Sequence, residues 1–304
     1  MPKLNKNLDE EKSFPKVRLN WYPGHMAKTR KEMMDDLKMI DIVIEILDAR
    51  IPISSRNPDI EDLIKNKKKI IILNKKDLAD DEITSKWVEF FKEQNIMAIP
   101  FEANKKNDTS RVTNAIKSEC SDILNKYAIK GRSGYKIKAM IFGTPNVGKS
   151  TFINCVAKKN KMKAENRPGV TKEKQWLEIS DNIVLMDTPG MLWPKFQNDE
   201  VKMHLAFTNS IGENAIDNEE IAFLLLKFLI ENYKTKLEKR YDIKIETFSN
   251  DNEYTIEIRD QIALKKGCIM SGGKIDETKV SNMILNDFRS GKLGKISLEK
   301  PLNS

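Results

Sequence analysis

The sequence predicts a doubly wound, mostly parallel α/β sheet followed by a smaller, mainly α-helical domain, and three observations predict it. Short apolar runs alternate with longer amphipathic stretches across the first two thirds of the 304 residues. A glycine-rich loop, Gly143 to Thr151, stands between one apolar run and a helical stretch, the junction at which such layers are built. Beyond Trp193-Pro194 the apolar residues take up helical spacing instead.

The runs Ile42 to Leu47, Lys69 to Leu73, Met97 to Phe101, Ile137 to Phe142, Trp176 to Ile179 and Ile183 to Met186 read as strands. They are short, and several are continuously apolar, as strands covered on both faces are. Between them Ile83 to Gln94, Val112 to Tyr127 and Phe152 to Ala157 read as helices. In the last third, Asn218 to Tyr233 opens on Asn218-Glu219-Glu220, and Thr278 to Gly291 closes on glycine, a start signal and a stop signal. His204 falls in a helical stretch bearing Met and Leu and reads as structural. The expected organisation is a disordered charged tail over residues 1–16, an α/β domain over 17–197 and a helical domain over 198–304.

Composition narrows the class. With 32% charged and 39% hydrophobic residues the chain is that of a globular protein. Cys120, Cys155 and Cys268 stand far apart with no CxxC pair, so neither a disulfide framework nor a zinc site is expected. No apolar run spans a bilayer, and Asp9, Glu10 and Glu11 sit where a leader would be basic, so a cytoplasmic protein without membrane contact is expected. The net charge of +8 favours a polyanionic partner. Residues 199–304 hold 16 basic and 18 acidic side chains, so the positive excess lies in the first two thirds.

Chemistry enters at Gly143-Thr-Pro-Asn-Val-Gly-Lys-Ser-Thr151, which has the spacing of a P-loop. Backbone N–H groups of Asn146, Val147, Gly148, Lys149, Ser150 and Thr151 are candidates to cradle phosphates, with Lys149 as the point charge and Ser150 as a Mg²⁺ ligand. Downstream, Asp187-Thr-Pro-Gly190 ends an apolar run, so Asp187 can hold Mg²⁺ and the N–H of Gly190 can sense a γ-phosphate. Thr171, just past Pro168-Gly169, is the candidate Mg²⁺ ligand from the intervening loop. Asn74-Lys-Lys-Asp77 follows another apolar run. There a buried Asp77 carboxylate would accept two guanine N–H groups, Asn74 would tie the loop to the phosphate loop, and the stem of Lys75 would lie over the base.

These motifs stand in an unusual order, with the guanine element ahead of the phosphate loop. Together with Trp21-Tyr-Pro-Gly-His-Met-Ala-Lys28, Asp48-Ala-Arg-Ile-Pro52, Phe101-Glu-Ala-Asn-Lys105 and the ending Asn286 to Glu299, they resemble the YlqF/RbgA family of circularly permuted P-loop GTPases involved in ribosome assembly. The resemblance runs from about residue 20 to the C-terminus. It implies a circularly permuted GTPase domain whose last motif leads directly into the helical domain.

The resemblance further implies a GTP-hydrolysing assembly factor for the large ribosomal subunit that docks on subunit precursors in its GTP state and leaves after hydrolysis. The other reading is a GTPase switch in a protein or tRNA pathway. By resemblance Glu102 and Ala103 join the guanine site, although the family has Ser where Glu102 stands. Met191 occupies the position at which many GTPases carry a water-orienting Gln, and by the same resemblance His25 becomes the catalytic candidate beside Lys149. Asn146 resembles the Asn of GTPases that use K⁺ beside the phosphates. The expected partners are GTP and GDP, and rRNA on the basic patch Lys265, Lys266, Lys274, Lys279, Arg289, Lys292 and Lys295, met by a monomer.

Overall fold

The computed structural model describes residues 33–103, 105–132, 134–157, 176–188, 198–211, 217–246 and 252–301. They fall into two compact units, one within residues 21–195 and the other within residues 196–304.

The first unit is a six-stranded sheet of β1 (Ile42–Asp48), β2 (Lys68–Asn74), β3 (Met97–Pro100), β4 (Ile137–Gly143), β5 (Trp176–Ser180) and β6 (Ile183–Asp187), in the spatial order β3-β2-β1-β4-β6-β5. All neighbours are parallel except β5, which runs antiparallel to β6 at the edge. Sequence order reverses between β1 and β4, and ligands gather at the carboxyl ends of strands at such a switch point. Every residue of β1 is buried, because helices cover both faces of the sheet. Alternation decides which face each side chain meets: Ile42, Ile44 and Ile46 pack with Ile70, Ile72, Ile137, Ile141 and the helical Val112, Ile116 and Phe152, while Leu47, Ile71 and Leu73 meet Trp87 and Phe91 on the other side.

The helices of this unit are α1 (Pro58–Leu63), α2 (Asp81–Glu93), α3 (Lys106–Glu119), α4 (Ser121–Ile129) and α5 (Lys149–Val156). Asp80 caps α2 by accepting the N–H groups of Glu82 and Ile83. The single helix expected over Val112 to Tyr127 is two, broken at Cys120, whose φ of −102° and ψ of 16° leave the helical region. The buried Cys120 side chain packs in the core cluster at that turn, so packing overrides the continuous helical periodicity.

The second unit is helical: α6 (Asp199–Phe207), α7 (Asn218–Tyr241), α8 (Asn252–Lys266) and α9 (Glu277–Arg289). The start expected at Asn218 is capped one residue earlier, by the Asp217 carboxylate on the N–H of Glu219. α7 runs on past its expected end through a kink at Tyr233 (φ −139°, ψ 35°), where the Tyr233 hydroxyl donates to the Ser297 carbonyl at 2.8 Å and accepts the Ser297 N–H at 3.0 Å. His204 is buried, with Nδ1 3.0 Å from Glu299 Oε1, a structural placement. Among the described residues no helix is long and apolar enough to cross a membrane.

Candidate functional site

Four loops leave the carboxyl ends of β2, β3, β4 and β6, and the described parts of these carry most of the candidate side chains. The phosphate loop ends in Gly148 (φ +94°), from which α5 starts at Lys149. A Cβ at Gly148 would lie 2.3 Å from Asn74 Nδ2, so only glycine lets the phosphate loop and the Asn74 loop approach this closely. Across that contact Asn74 donates to the Val147 carbonyl at 2.8 Å. Lys75, in the left-handed region at φ 58°, donates from Nζ to the Asn146 carbonyl at 2.7 Å. Asn146 is itself left-handed at φ 57°.

The same Lys75 ammonium lies 3.1 Å from Asp48 Oδ2, at the end of β1. Asp48 is fully buried and receives Arg50 from three directions: backbone N–H and Nε on Oδ1 at 3.0 and 2.9 Å, and Nη2 on Oδ2 at 2.8 Å. Burial alone would raise the Asp48 carboxyl, but the Arg50 and Lys75 cations outweigh it and hold it well below the usual carboxylate range. The Asp48 N–H is taken up by Ser55 Oγ at 3.1 Å, which fixes the turn after β1.

On the other side of the phosphate loop, Lys149 Nζ donates to the Asp187 carboxylate and to the Thr188 carbonyl, joining the ends of β4 and β6. Thr188 in turn donates from Oγ1 to the Ile141 carbonyl inside β4. Ser150, Thr151 and Asp187 are exposed beside this contact. The loop after β3 is held from two sides. The Glu102 N–H donates to Asp108 Oδ2 at 3.0 Å, and the Ala103 carbonyl accepts from Cys155 Sγ, on α5, at 3.1 Å. Beneath it Phe101 and Phe152 pack edge to face with centroids 4.9 Å apart.

The structure therefore brings Asn74, Lys75, Asn146, Val147, Gly148, Lys149 and Asp187 together, with Glu102 and Ala103 on a loop tied to α5. Asp77 differs from the expectation: it is exposed rather than buried, because a 3-10 turn over Lys76–Leu78 carries it past the end of β2. Residues 1–16, Trp21, Tyr22, His25, Thr171, Gly190 and Met191 lie outside the described residues. Sequence reasoning gave no role to Asp48, Arg50 or Cys155, although the Asp48-Ala-Arg stretch at a strand end was the available signal for the first two.

The basic patch of the helical unit is partly committed elsewhere. Arg289 donates to the carbonyls of Phe207 and Ala206 at the end of α6, so it closes a helix rather than facing a partner. Lys265, Lys266, Lys274, Lys279 and Lys292 are exposed.

A P-loop at the strand that flanks the switch point, with the guanine-type Asn-Lys-Lys-Asp element earlier in the chain, defines a circularly permuted P-loop GTPase fold. A family model described as "50S ribosome-binding GTPase" matches residues 138–259. "Ribosome biogenesis GTPase A" of Bacillus licheniformis is 43% identical over 93% of this chain and 98% of that protein, and its counterpart in Bacillus cereus is 41% identical over 93% and 94%. The crystal structure of GNP-bound YlqF from T. maritima shares the fold with a TM-score of 0.60 at 24% identity, covering 91% of this chain and all of that one. The chain belongs to the ribosome biogenesis GTPase A family, and is thereby a GTPase.

Proposed function

We propose that the chain is an assembly factor of the large ribosomal subunit that docks on subunit precursors with GTP bound and leaves after hydrolysis. The carrying observation is the convergence of the phosphate loop, the Asn74-Lys75 loop and Asp187 at the carboxyl ends of β4, β2 and β6. Such a set can grip the base and the phosphates of one nucleotide at once. The protein acts in the cytoplasm as a monomer.

In this reading Asp77 accepts the guanine N–H groups, Asn74, Lys75, Glu102 and Ala103 frame the base, and the N–H groups of residues 146–151, with that of Gly190, hold the phosphates. Mg²⁺ fits the donor chemistry, since the Ser150 hydroxyl and the Asp187 carboxylate are exposed hard oxygen donors and Lys149, the residue before Ser150, bonds Asp187. Ser150, Asp187 and Thr171 would hold it, and it would neutralise charge developing on the phosphates. Lys149 moves from Asp187 and the Thr188 carbonyl onto the β and γ oxygens as these arrive. His25 orients the attacking water, and Asn146 is the side chain proposed for K⁺. Replacing K⁺ by Na⁺ should slow hydrolysis, and equal rates would remove Asn146 from that role. The exposed lysines of α8 and of the turn before α9 meet rRNA phosphates.

Co-sedimentation with large subunits and their precursors, with GDP and with a nonhydrolysable GTP analogue, tests the reading. The analogue should give tighter association, and the particles should raise a slow basal turnover, expected at about 10⁻⁴ to 10⁻² s⁻¹. Association indifferent to nucleotide, with hydrolysis indifferent to particles, would favour a switch acting in another pathway.

A further inference from the structure

The Asp48-Ala-Arg-Ile-Pro52 stretch ends the most deeply buried strand of the sheet and has no part in the proposed chemistry, yet it carries a dense polar network. Both carboxylate oxygens of Asp48 are engaged. Oδ1 takes the backbone and Nε of Arg50, and Oδ2 takes Arg50 Nη2 and, at 3.1 Å, Lys75 Nζ. Asp48 and Arg50 are both buried, at 0% and 1% exposure, so this ion pair is hidden from solvent and from screening salt, while Lys75 reaches it from the partly exposed side.

Lys75 is held at two points. Its ammonium is shared between Asp48 and the Asn146 carbonyl of the phosphate loop, while its backbone sits in the left-handed conformation. Those restraints leave the aliphatic stem little freedom, and it passes close to the phosphate loop: a Cβ on Gly148 would lie 3.9 Å from Lys75 Cε. A lysine on an open loop otherwise loses its rotamer freedom only when a ligand fixes it, and binding bears that entropic cost.

We propose that Asp48, itself held by Arg50, is a positioning residue for guanine nucleotides, fixing Lys75 against the phosphate loop before the base arrives. Arg50 has a reason to be present in this arrangement. A carboxylate facing only Lys75 could swing toward it and draw the ammonium off the Asn146 carbonyl. The two-pronged Arg50 contact keeps the carboxylate at the end of β1, holding Oδ2 3.1 Å from the Lys75 ammonium. The inference rests on the guanine-site reading, since it acts through Lys75.

The experiment is a double-mutant cycle on the full chain, with GDP and a nonhydrolysable GTP analogue titrated into wild type, Asp48→Asn, Lys75→Ala and the double variant. Asp48→Asn should weaken both nucleotides by the same factor, about tenfold, the equivalent of one charge-assisted hydrogen bond. At saturating GTP its turnover should stay within about twofold of wild type, because a preset base contact acts on binding and not on the phosphate chemistry. In the Lys75→Ala background Asp48→Asn should cost no further affinity.

An equal loss in both backgrounds would show that Asp48 merely supports the fold and would overturn the proposal, as would unchanged affinity in the single variant. If Asp48→Asn does not fold, Asp48→Glu keeps the charge, displaces the carboxylate by one methylene and is read by the same cycle. Asp77→Asn separates the two levels. Lost GDP affinity there with retained affinity in Asp48→Asn sinks the positioning role alone, whereas retained affinity in Asp77→Asn sinks the guanine reading and this inference with it.

Discussion

The two units use polar side-chain contacts for different ends. In the sheet unit one set lies at the carboxyl ends of strands and joins one loop to another: Asn74 to Val147, Lys75 to Asn146 and Asp48, Lys149 to Asp187. In the helical unit they join secondary-structure elements to each other and to the chain end, as with Arg240 on Asp287, Arg289 on the carbonyls closing α6, and Tyr233 on Ser297. The apolar core of the sheet unit packs strands against helices beneath these loops, and the polar bonds above it shape a ligand site. The helical unit uses the same kind of bond to fix its helices against one another.

The comparison predicts that substitutions in the first set change chemistry with little loss of fold, and those in the second do the reverse. The largest effect belongs to Lys149→Ala, which should lower turnover by about 10²–10³-fold or more while far-ultraviolet dichroism stays native. Unchanged turnover would remove the P-loop from the site. His25→Ala should lower single-turnover hydrolysis by about 10²-fold and leave GTP affinity within a few-fold. Full activity would return His25 to a structural role.

Asp77→Asn should cost about 10²-fold in GTP affinity and shift preference toward xanthine nucleotides, measured by displacement, since two charge-assisted bonds are at stake. The wild type should discriminate against ATP by the same order. Arg240→Ala is the counter-test in the helical unit. It removes the nearer cation from the buried Asp287, leaving Lys292 at 3.7 Å, and should lower unfolding free energy by about 1–3 kcal/mol in urea, with GDP affinity unchanged. A loss of GDP affinity there would break the division between the units.

The smallest effect is expected at Glu45, a buried carboxylate of β1 facing Arg56 at 3.3 Å. Burial raises its pKa above the ordinary 4.5, against the pull of Arg56. A carboxyl raised in the folded state favours folding fully below 4.5, and that contribution is lost as pH rises through the folded value. Glu45→Gln should therefore flatten the pH dependence of stability above 4.5, with Arg56 keeping Glu61 as a partner at 3.2 Å. An unaltered slope would mean that Arg56 already holds Glu45 ionised without cost.

The strands were legible because a parallel sheet covered on both faces writes itself as continuous apolar runs, as in Ile70 to Leu73. The loops that meet were legible because each carries its own short motif. Other features depend on residues far apart in the chain: the kink at Tyr233 needs Ser297, the Lys75 contact needs Asp48, and the loop after β3 needs Cys155. No local pattern encodes those pairings. The exposure of Asp77 was misread because the motif gives the chemistry of a carboxylate without the 3-10 turn that presents it.

The reversal of order between β1 and β4 also shapes how the chain is made. β1, β2 and β3 are all synthesised before β4, and β1 must wait for residues 139–143 before its second edge is paired. During that interval a strand of Ile, Val and Leu has one open row of hydrogen-bonding groups, the kind of edge that recruits a wrong partner. Closing β1 against β4 brings together segments about a third of the chain apart, the slow and non-local kind of step that limits folding rate. The permuted order thus sets a kinetic hazard at the centre of the sheet, where the arrival of β4 with its phosphate loop both seals the edge and completes the layer on which the nucleotide loops stand.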